Sequence, residues 1–293
     1  MTLQIDTALV RRLVAEQFPH WAHLEIRPVA VSGHDNRTFH LGEELSVRLP
    51  SAEAYAPQAE KEGRWLPGLA LHLPLPVSAP VALGRPSVAF PFPWSVNRWL
   101  PGDTLAAAGV QDKQELARDL AAFLQALWQI DAADGPPAGP HSFERGKGSP
   151  LMYWDDYAQP NLPLLGPQAQ AAEALWQLAR QSEWTASSVW VHGDMAAGNL
   201  LVQGGKLSAV IDFGCCAVGD PACDLVMAWT YFSDDSRRVF RESCGLDQQT
   251  WQRAAGWAVW KALVVLDDPR QEAWARRTVN ELLLDELFLG RTE

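Results

Sequence analysis

Apolar and polar positions follow two different periods along this chain, and the change of period divides it. "TALVRRLVAEQF", starting at Thr7, repeats its apolar residues at helical spacing and predicts an amphipathic helix. "LEIRPVAVSGHDNRTFHLGEELSVRLP" then reads as three short strands, parted by the polar turns "SGHDNR" and "LGEE". "SAEAYAPQAEKEGRWLPGLA" returns to helix. "PVALGRPSVAFPFPWSVNRWL" gives two more strands, cut at Gly84-Arg85-Pro86. After "PGDTL" the helical period takes over. Leu116, Leu120, Phe123, Leu124 and Leu127 form one stripe. A Gly/Pro-rich loop runs from Asp134 to Pro150, followed by helical segments to about Arg180. From Pro221 onward the chain is again helical ("ACDLVMAWTYF", "QQTWQRAAGWAVWKALVVL", "EAWARRTVNELLLDELFL"). The pattern predicts an α+β fold of two lobes. A small β-rich lobe with one inserted helix covers residues 1–98, and a larger mostly helical lobe covers 99–293. The boundary lies near Asn97–Gly102.

One stretch interrupts the helical half. "VHGDMAAGNLLVQGGKLSAVIDFG", from Val191 to Gly214, frames a polar loop with the short apolar runs "SSVWV" and "LSAVI". Gly204-Gly205 between "NLLV" and "LSAVI" predicts a hairpin. Within these residues lie Asp194, Asn199 and Asp212. One charged and one neutral oxygen ligand suit Mg²⁺ when phosphates and waters fill its other positions. A carboxylate that stays off the metal can accept a hydroxyl proton. Phosphoryl transfer needs that division of labour. An isolated Asp in a loop is usually a turn or cap residue, but the joint spacing of these groups is rare by chance.

Composition narrows the partners. Of 293 residues, 47% are hydrophobic, enough for a sizeable core. The net charge of −11 and the lack of a Lys/Arg-rich stripe argue against nucleic acid. Fourteen tryptophans are expected mostly in the core. Cys215, Cys216, Cys223 and Cys244 lack the spacing of a zinc site and read as reduced thiols of a cytoplasmic protein. The N-terminal residues do not resemble a signal peptide, and no apolar run is long enough to span a membrane. A monomer or weak dimer is expected.

"HGDMAAGN" followed by "VIDFG" resembles the catalytic and metal loops of the aminoglycoside phosphotransferase family, whose fold is similar to that of protein kinases. The resemblance extends over nearly the whole chain, through "SVRLP", "QAEKEGRWLPGLA", "WSVNRWLPGD" and "GDPACDLVMAW". It implies a Mg²⁺-dependent kinase that moves the γ-phosphate of ATP, or of GTP, to a small-molecule hydroxyl. Asp194 would be the catalytic base. Asn199 and Asp212 would bind Mg²⁺. His192 would hold the loop's shape, and Asp224 would fix its backbone. In the small lobe, Ser32, Gly33 and Asn36 would face the phosphates, and Arg98 and Leu100 would meet the purine through their backbones. Arg48 stands where kinases carry a lysine, which is a departure. A guanidinium can still neutralise phosphate, bidentately. Its partner would be Glu62 or, one position class away, Glu60.

The acceptor site is expected in the helical lobe. Asp155, Asp156, Asp234, Asp235, Asp267 and Asp268 are candidate carboxylates for the amines of an aminoglycoside-like antibiotic, although Asp pairs also end helices. Tyr231 and the nearby aromatics Tyr153, Trp154, Tyr157, Trp229 and Phe232 would suit a bulkier alcohol such as a macrolide equally well. Alternatives are a metabolic kinase of an amino alcohol or sugar, a nucleotide-binding module without activity, and a metal-dependent hydrolase. The hydrolase is disfavoured by the single nearby histidine.

Overall fold

The computed structural model describes residues 4–30, 32–146 and 150–288, with the side chains of residues 150 and 151 left aside. The chain forms two compact units. The first comprises Met1–Gly102 with Ser208–Gly214, and the second Asp103–Leu207 with Cys215–Glu293.

The first unit opens with helix α1 (Thr7–Gln17). Asp6 caps it by accepting from the Leu9 amide at 2.9 Å. Strands β1 (Ile26–Pro28), β2 (Asn36–Leu41) and β3 (Leu45–Pro50) form an antiparallel meander. Helix α2 (Ala56–Leu69) follows, then β4 (Pro80–Gly84) and β5 (Trp94–Arg98). The sheet order is β1-β2-β3-β5-β4. Phe39 and Leu41 of β2 and Val47 and Leu49 of β3 share one buried cluster with Val10, Leu13 and Val14 of α1. Trp94 is fully buried, and a Cβ on Gly84 would sit 1.9 Å from its indole, so only glycine fits there. The five strands and the inserted helix fall where the polar pattern predicts them.

In the second unit β6 (Asp103–Thr104) and α3 (Leu105–Ala108) precede the long α4 (Lys113–Gln129). Its apolar stripe is buried throughout. The short α5 (Pro150–Tyr153) and α6 (Asp155–Asn161) lead to α7 (Ala169–Ala179). Strand β7 (Val189–Val191) enters the polar loop, and β8 (Leu200–Gln203) leaves it to pair with β6. Gly204 and Gly205 both have positive φ, the requirement of a tight two-residue turn. β9 (Lys206–Val210) then runs into the first unit, where Val210 bridges Val77. β10 (Ala217–Gly219) pairs antiparallel with β7.

The segment after Pro221 is a 3₁₀ turn to Val226 rather than the continuous helix its apolar pattern predicts. The helix proper, α8 (Met227–Thr230), spans four residues. Pro221 cannot donate a backbone hydrogen bond, and Asp220 caps the turn through the Ala222 amide. Helices α9 (Asp234–Cys244), α10 (Gln248–Leu263) and α11 (Glu272–Leu283) complete the unit. α10 packs against both α7 and α11 and is buried on almost every face. All four cysteines are buried as thiols. Among the described residues no helix is long and apolar enough to cross a membrane.

Candidate active site

The polar loop is held from behind by one carboxylate. Asp224, fully buried, accepts from the backbone N–H of His192 (2.7 Å) and Gly193 (2.8 Å). Burial pushes its pKa up, and the two backbone donors together with His192 oppose the rise. Gly193 has φ 82, and a Cβ there would lie 2.5 Å from the Cys215 carbonyl, so the loop can turn only at glycine. The next amide, that of Asp194, donates to His192 Nδ1 at 3.1 Å. These bonds leave the Asp194 carboxylate projecting from a fixed backbone, its side chain 31% exposed.

Three groups converge on that carboxylate. Lys261 Nζ donates to Oδ1 at 3.2 Å and to the Met195 carbonyl at 3.2 Å. Arg145 Nη1 lies 3.6 Å from the same oxygen. Asn199 Nδ2 donates to the Asp194 carbonyl at 2.8 Å and to Oδ2 at 3.3 Å. Burial alone would raise the Asp194 pKa. Lys261, Arg145 and His192 overcome that and hold it well below the usual carboxylate range. Trp257 and Trp260 of α10, with Cys223 and Val226, complete a small cavity beside Gly193, Asp194, Arg145 and Lys261.

In the first unit Arg48 joins two carboxylates. It donates to Glu62 of α2 at 3.0 and 3.3 Å and to Asp212 Oδ1 at 2.7 Å. Glu62 is the partner, whereas Glu60 is exposed. Burial works against the guanidinium's charge, but Glu62 and Asp212 hold its pKa above the ordinary arginine value. Burial also pushes Glu62 up, against the pull of Arg48. Asp212 has φ 66, uncommon for a residue with a side chain and frequent where a site stores strain.

The remaining candidates are more scattered. Ser32 Oγ accepts from the Thr38 amide, Gly33 offers its carbonyl to Arg37, and Asn36 begins β2, largely buried. Arg98 ends β5, exposed, with Leu100 two residues on. Asp155 accepts from Trp176 Nε1 (2.8 Å) and Arg180 (3.0 Å). Asp235 pairs with Arg238 and Asp268 with Arg270. Asp156, Asp234 and Asp267 are exposed. Tyr231 lies under Lys113, with 5.2 Å from Nζ to the ring centre. None of these acids lines the Asp194 cavity.

Sequence reasoning missed Arg145 and Lys261. Lys261 did leave a trace: it is the one cation in the run "AAGWAVWKALVVL". Arg145 sits in a Gly/Pro-rich loop and leaves none.

A family model described as "Phosphotransferase enzyme family" matches residues 25–263. The chain belongs to this family. It is accordingly a small-molecule phosphotransferase, and the match covers both units, from β1 to the end of α10. Among solved structures, the GDP complex of an aminoglycoside 2'-phosphotransferase-IIIa mutant has a TM-score of 0.74 at 19% identity, covering 98% of this chain and 100% of that one. The GDP and kanamycin complex of APH(2")-IIIa gives 0.72 at 18%, covering 94% and 97%. The macrolide 2'-phosphotransferase MphH from Brachybacterium faecium gives 0.60 at 22%, covering 92% and 97%. At these identities the likeness establishes the family's fold in this chain, the two-lobed α+β architecture expected from the sequence. No curated protein sequence matches.

Proposed function

We propose that this phosphotransferase moves the γ-phosphate of a purine nucleoside triphosphate to an alcohol, with Asp194 receiving the hydroxyl proton. The observation that carries the reading is the Asp194 carboxylate itself. It is partly exposed on a loop whose two preceding amides are tied to buried Asp224, and it is kept ionised by Lys261 and Arg145. The acceptor oxygen bonds to the γ-phosphorus as the bond to the β-phosphate oxygen breaks. The electron pair leaves on the nucleoside diphosphate, and the proton passes to Asp194. Asp194 accepts the hydroxyl's hydrogen bond and takes its proton as the phosphoryl group is transferred.

Arg48, steered by Glu62, offsets charge on the nucleotide phosphates. Ser32 and Gly33, in the turn before β2, and Asn36, at its start, contribute donors. Arg98 and Leu100 offer backbone groups to the purine. The GDP and ADP complexes of structures with this fold support a nucleotide as the phosphate donor.

The Mg²⁺ implied by the family resemblance suits the oxygens these residues retain. Asn199 commits its amide nitrogen to Asp194, which leaves Oδ1. Asp212 gives Oδ1 to Arg48, which leaves Oδ2. Among the described residues no three His, Cys, Asp or Glu side chains form a metal site by themselves. One neutral and one charged oxygen completed by phosphate and water is the coordination Mg²⁺ favours. The ion would neutralise charge on the phosphates as the bond breaks.

Kanamycin, gentamicin and streptomycin complexes of similar folds, and the macrolide enzymes among them, keep both antibiotic classes in view as acceptors. The test is nucleotide turnover against a panel of alcohols. Asp194→Asn should lower turnover about 10²- to 10⁴-fold with nucleotide affinity little changed. Near-full activity in that variant would remove Asp194 from the chemistry.

A further inference from the structure

The cavity beside Asp194 is rich in hydrogen-bond donors and poor in acceptors. Lys261 spends two of its three N–H groups, on Asp194 Oδ1 and the Met195 carbonyl, and the third has no partner among the described residues. The Lys261 side chain is 19% exposed, so this remaining donor is open to an incoming acceptor.

Charge points the same way. The cavity-lining residues include two cations, Arg145 and Lys261, and one carboxylate, Asp194. Asp224, behind the loop, is committed to the His192 and Gly193 amides. Arg145 is held firmly. Its guanidinium lies over the Trp260 ring (5.3 Å to the centre) and its Nη1 contacts Cys215 Sγ, while Phe143 and Glu144 before it both adopt positive φ. Lys261 and Arg145 keep 19% and 17% side-chain exposure, so both can be reached from solution.

We propose that the acceptor carries an oxyanion, a carboxylate or a phosphate monoester, near the hydroxyl that is phosphorylated, and that Lys261 and Arg145 hold it. This inference rests on the proposed function, because it describes the acceptor of the same Asp194. A polycationic acceptor would meet two cations at the reacting carboxylate. The acids that could hold its amines are engaged elsewhere or exposed: Asp155 binds Trp176 and Arg180, Asp235 binds Arg238 and Asp268 binds Arg270. An oxyanion instead gives an acceptor to the third N–H of Lys261 and brings negative charge beside the Arg145 guanidinium. The lysine can turn from Asp194 to the incoming anion and leave Oδ1 for the hydroxyl.

The experiment compares acceptors in pairs. Hydroxy acids are set against their methyl esters, and sugar monophosphates against the parent sugars, with amino alcohols and an aminoglycoside alongside, all at saturating Mg²⁺-nucleotide. In one of the two anionic arms the anion should be preferred in kcat/KM by about tenfold to hundredfold, the usual worth of hydrogen bonds to a charged group. Lys261→Met should erase most of that preference through acceptor KM, and Lys261→Arg should restore part of it. Better use of the amine acceptors, or equal use of anion and ester, would overturn the proposal. So would a Lys261→Met defect in kcat shared by all acceptors, since Lys261 would then act on the transferring phosphoryl group. If no hydroxyl of any class is phosphorylated, the proposed function fails, and thermal shift decides the anion site on its own. A hydroxy acid or a sugar monophosphate from the same panel should raise the melting temperature of the wild type but not of Lys261→Met, and equal shifts in the two proteins, or none in either, would overturn the site.

Discussion

Asp194 is kept charged by neighbours rather than by water, and that has a pH signature. Its folded pKa lies below that of the unfolded chain. Its ionisation therefore contributes stability above the ordinary carboxylate pKa, about 3.9, and loses it only as pH falls through the lower folded value. Between pH 5 and 8 activity should show no acid limb from this group. In Lys261→Met, burial is opposed by less positive charge, so an acid limb should move up toward the ordinary range. A kcat/KM profile of both proteins checks this, and coincident profiles would mean that Lys261 does not tune Asp194. Arg48 gives a second expectation at this scale. Arg48→Ala leaves Glu62 buried without its cation and should raise nucleotide KM and lower kcat together. Arg48→Lys should recover part of the loss, since the charge survives but the two-sided reach to Glu62 and Asp212 does not. Kinetic constants within twofold of wild type in Arg48→Ala would place Arg48 outside the reaction. The Asp194–Asn199 loop and the strand bearing Arg48 could be read from local pattern. Lys261 and Arg145 could not, because their meeting with Asp194 is made by folding across 67 and 49 residues, and no local periodicity records it.

At the scale of elements, the second unit is organised by a buried ion pair. Arg253 of α10 donates through Nε to Asp220 Oδ2 at 2.7 Å, and its other nitrogens reach Asp220 Oδ1, Ser182 and Thr250. Asp220 also caps the 3₁₀ turn that carries Asp224. Arg253→Met should destabilise the protein by about 3–5 kcal/mol, because it strands a buried carboxylate. Arg253→Met with Asp220→Asn should be closer to wild type in urea denaturation than the single variant. Equal losses in the single and double variants would deny the coupling. Strand and helix order was legible because periods 2 and 3.6 are local. The 3₁₀ turn was not. Its apolar sequence matches a helix, while Pro221 and the Asp220 cap shape it through donors and acceptors that hydropathy does not register.

For the molecule as a whole, the net charge of −11 sets the long-range field. The cations beside Asp194 are a local exception inside it. An anionic acceptor is therefore repelled at a distance and held at short range. Salt screens the distant term first. Raising ionic strength from low to about 0.15 M should increase kcat/KM for a hydroxy acid and decrease it for an amino alcohol. A fall for the acid would show that attraction near Lys261 outweighs the field of the rest of the surface.

The chain passes between its two units three times, after Gly102, after Leu207 and after Gly214. The heptapeptide 208–214 brings Asp212 to Arg48 and Val210 to Val77, so the first unit is completed by residues encoded in the second half of the gene. Lobe exchange between members of this family must therefore transplant two cassettes, 1–102 and 208–214, in one step. A chimera with a single crossover near residue 102 would pair Arg48 from one parent with Asp212 from the other. Recombination at that point is tolerated only where both parents have kept the same hand-off.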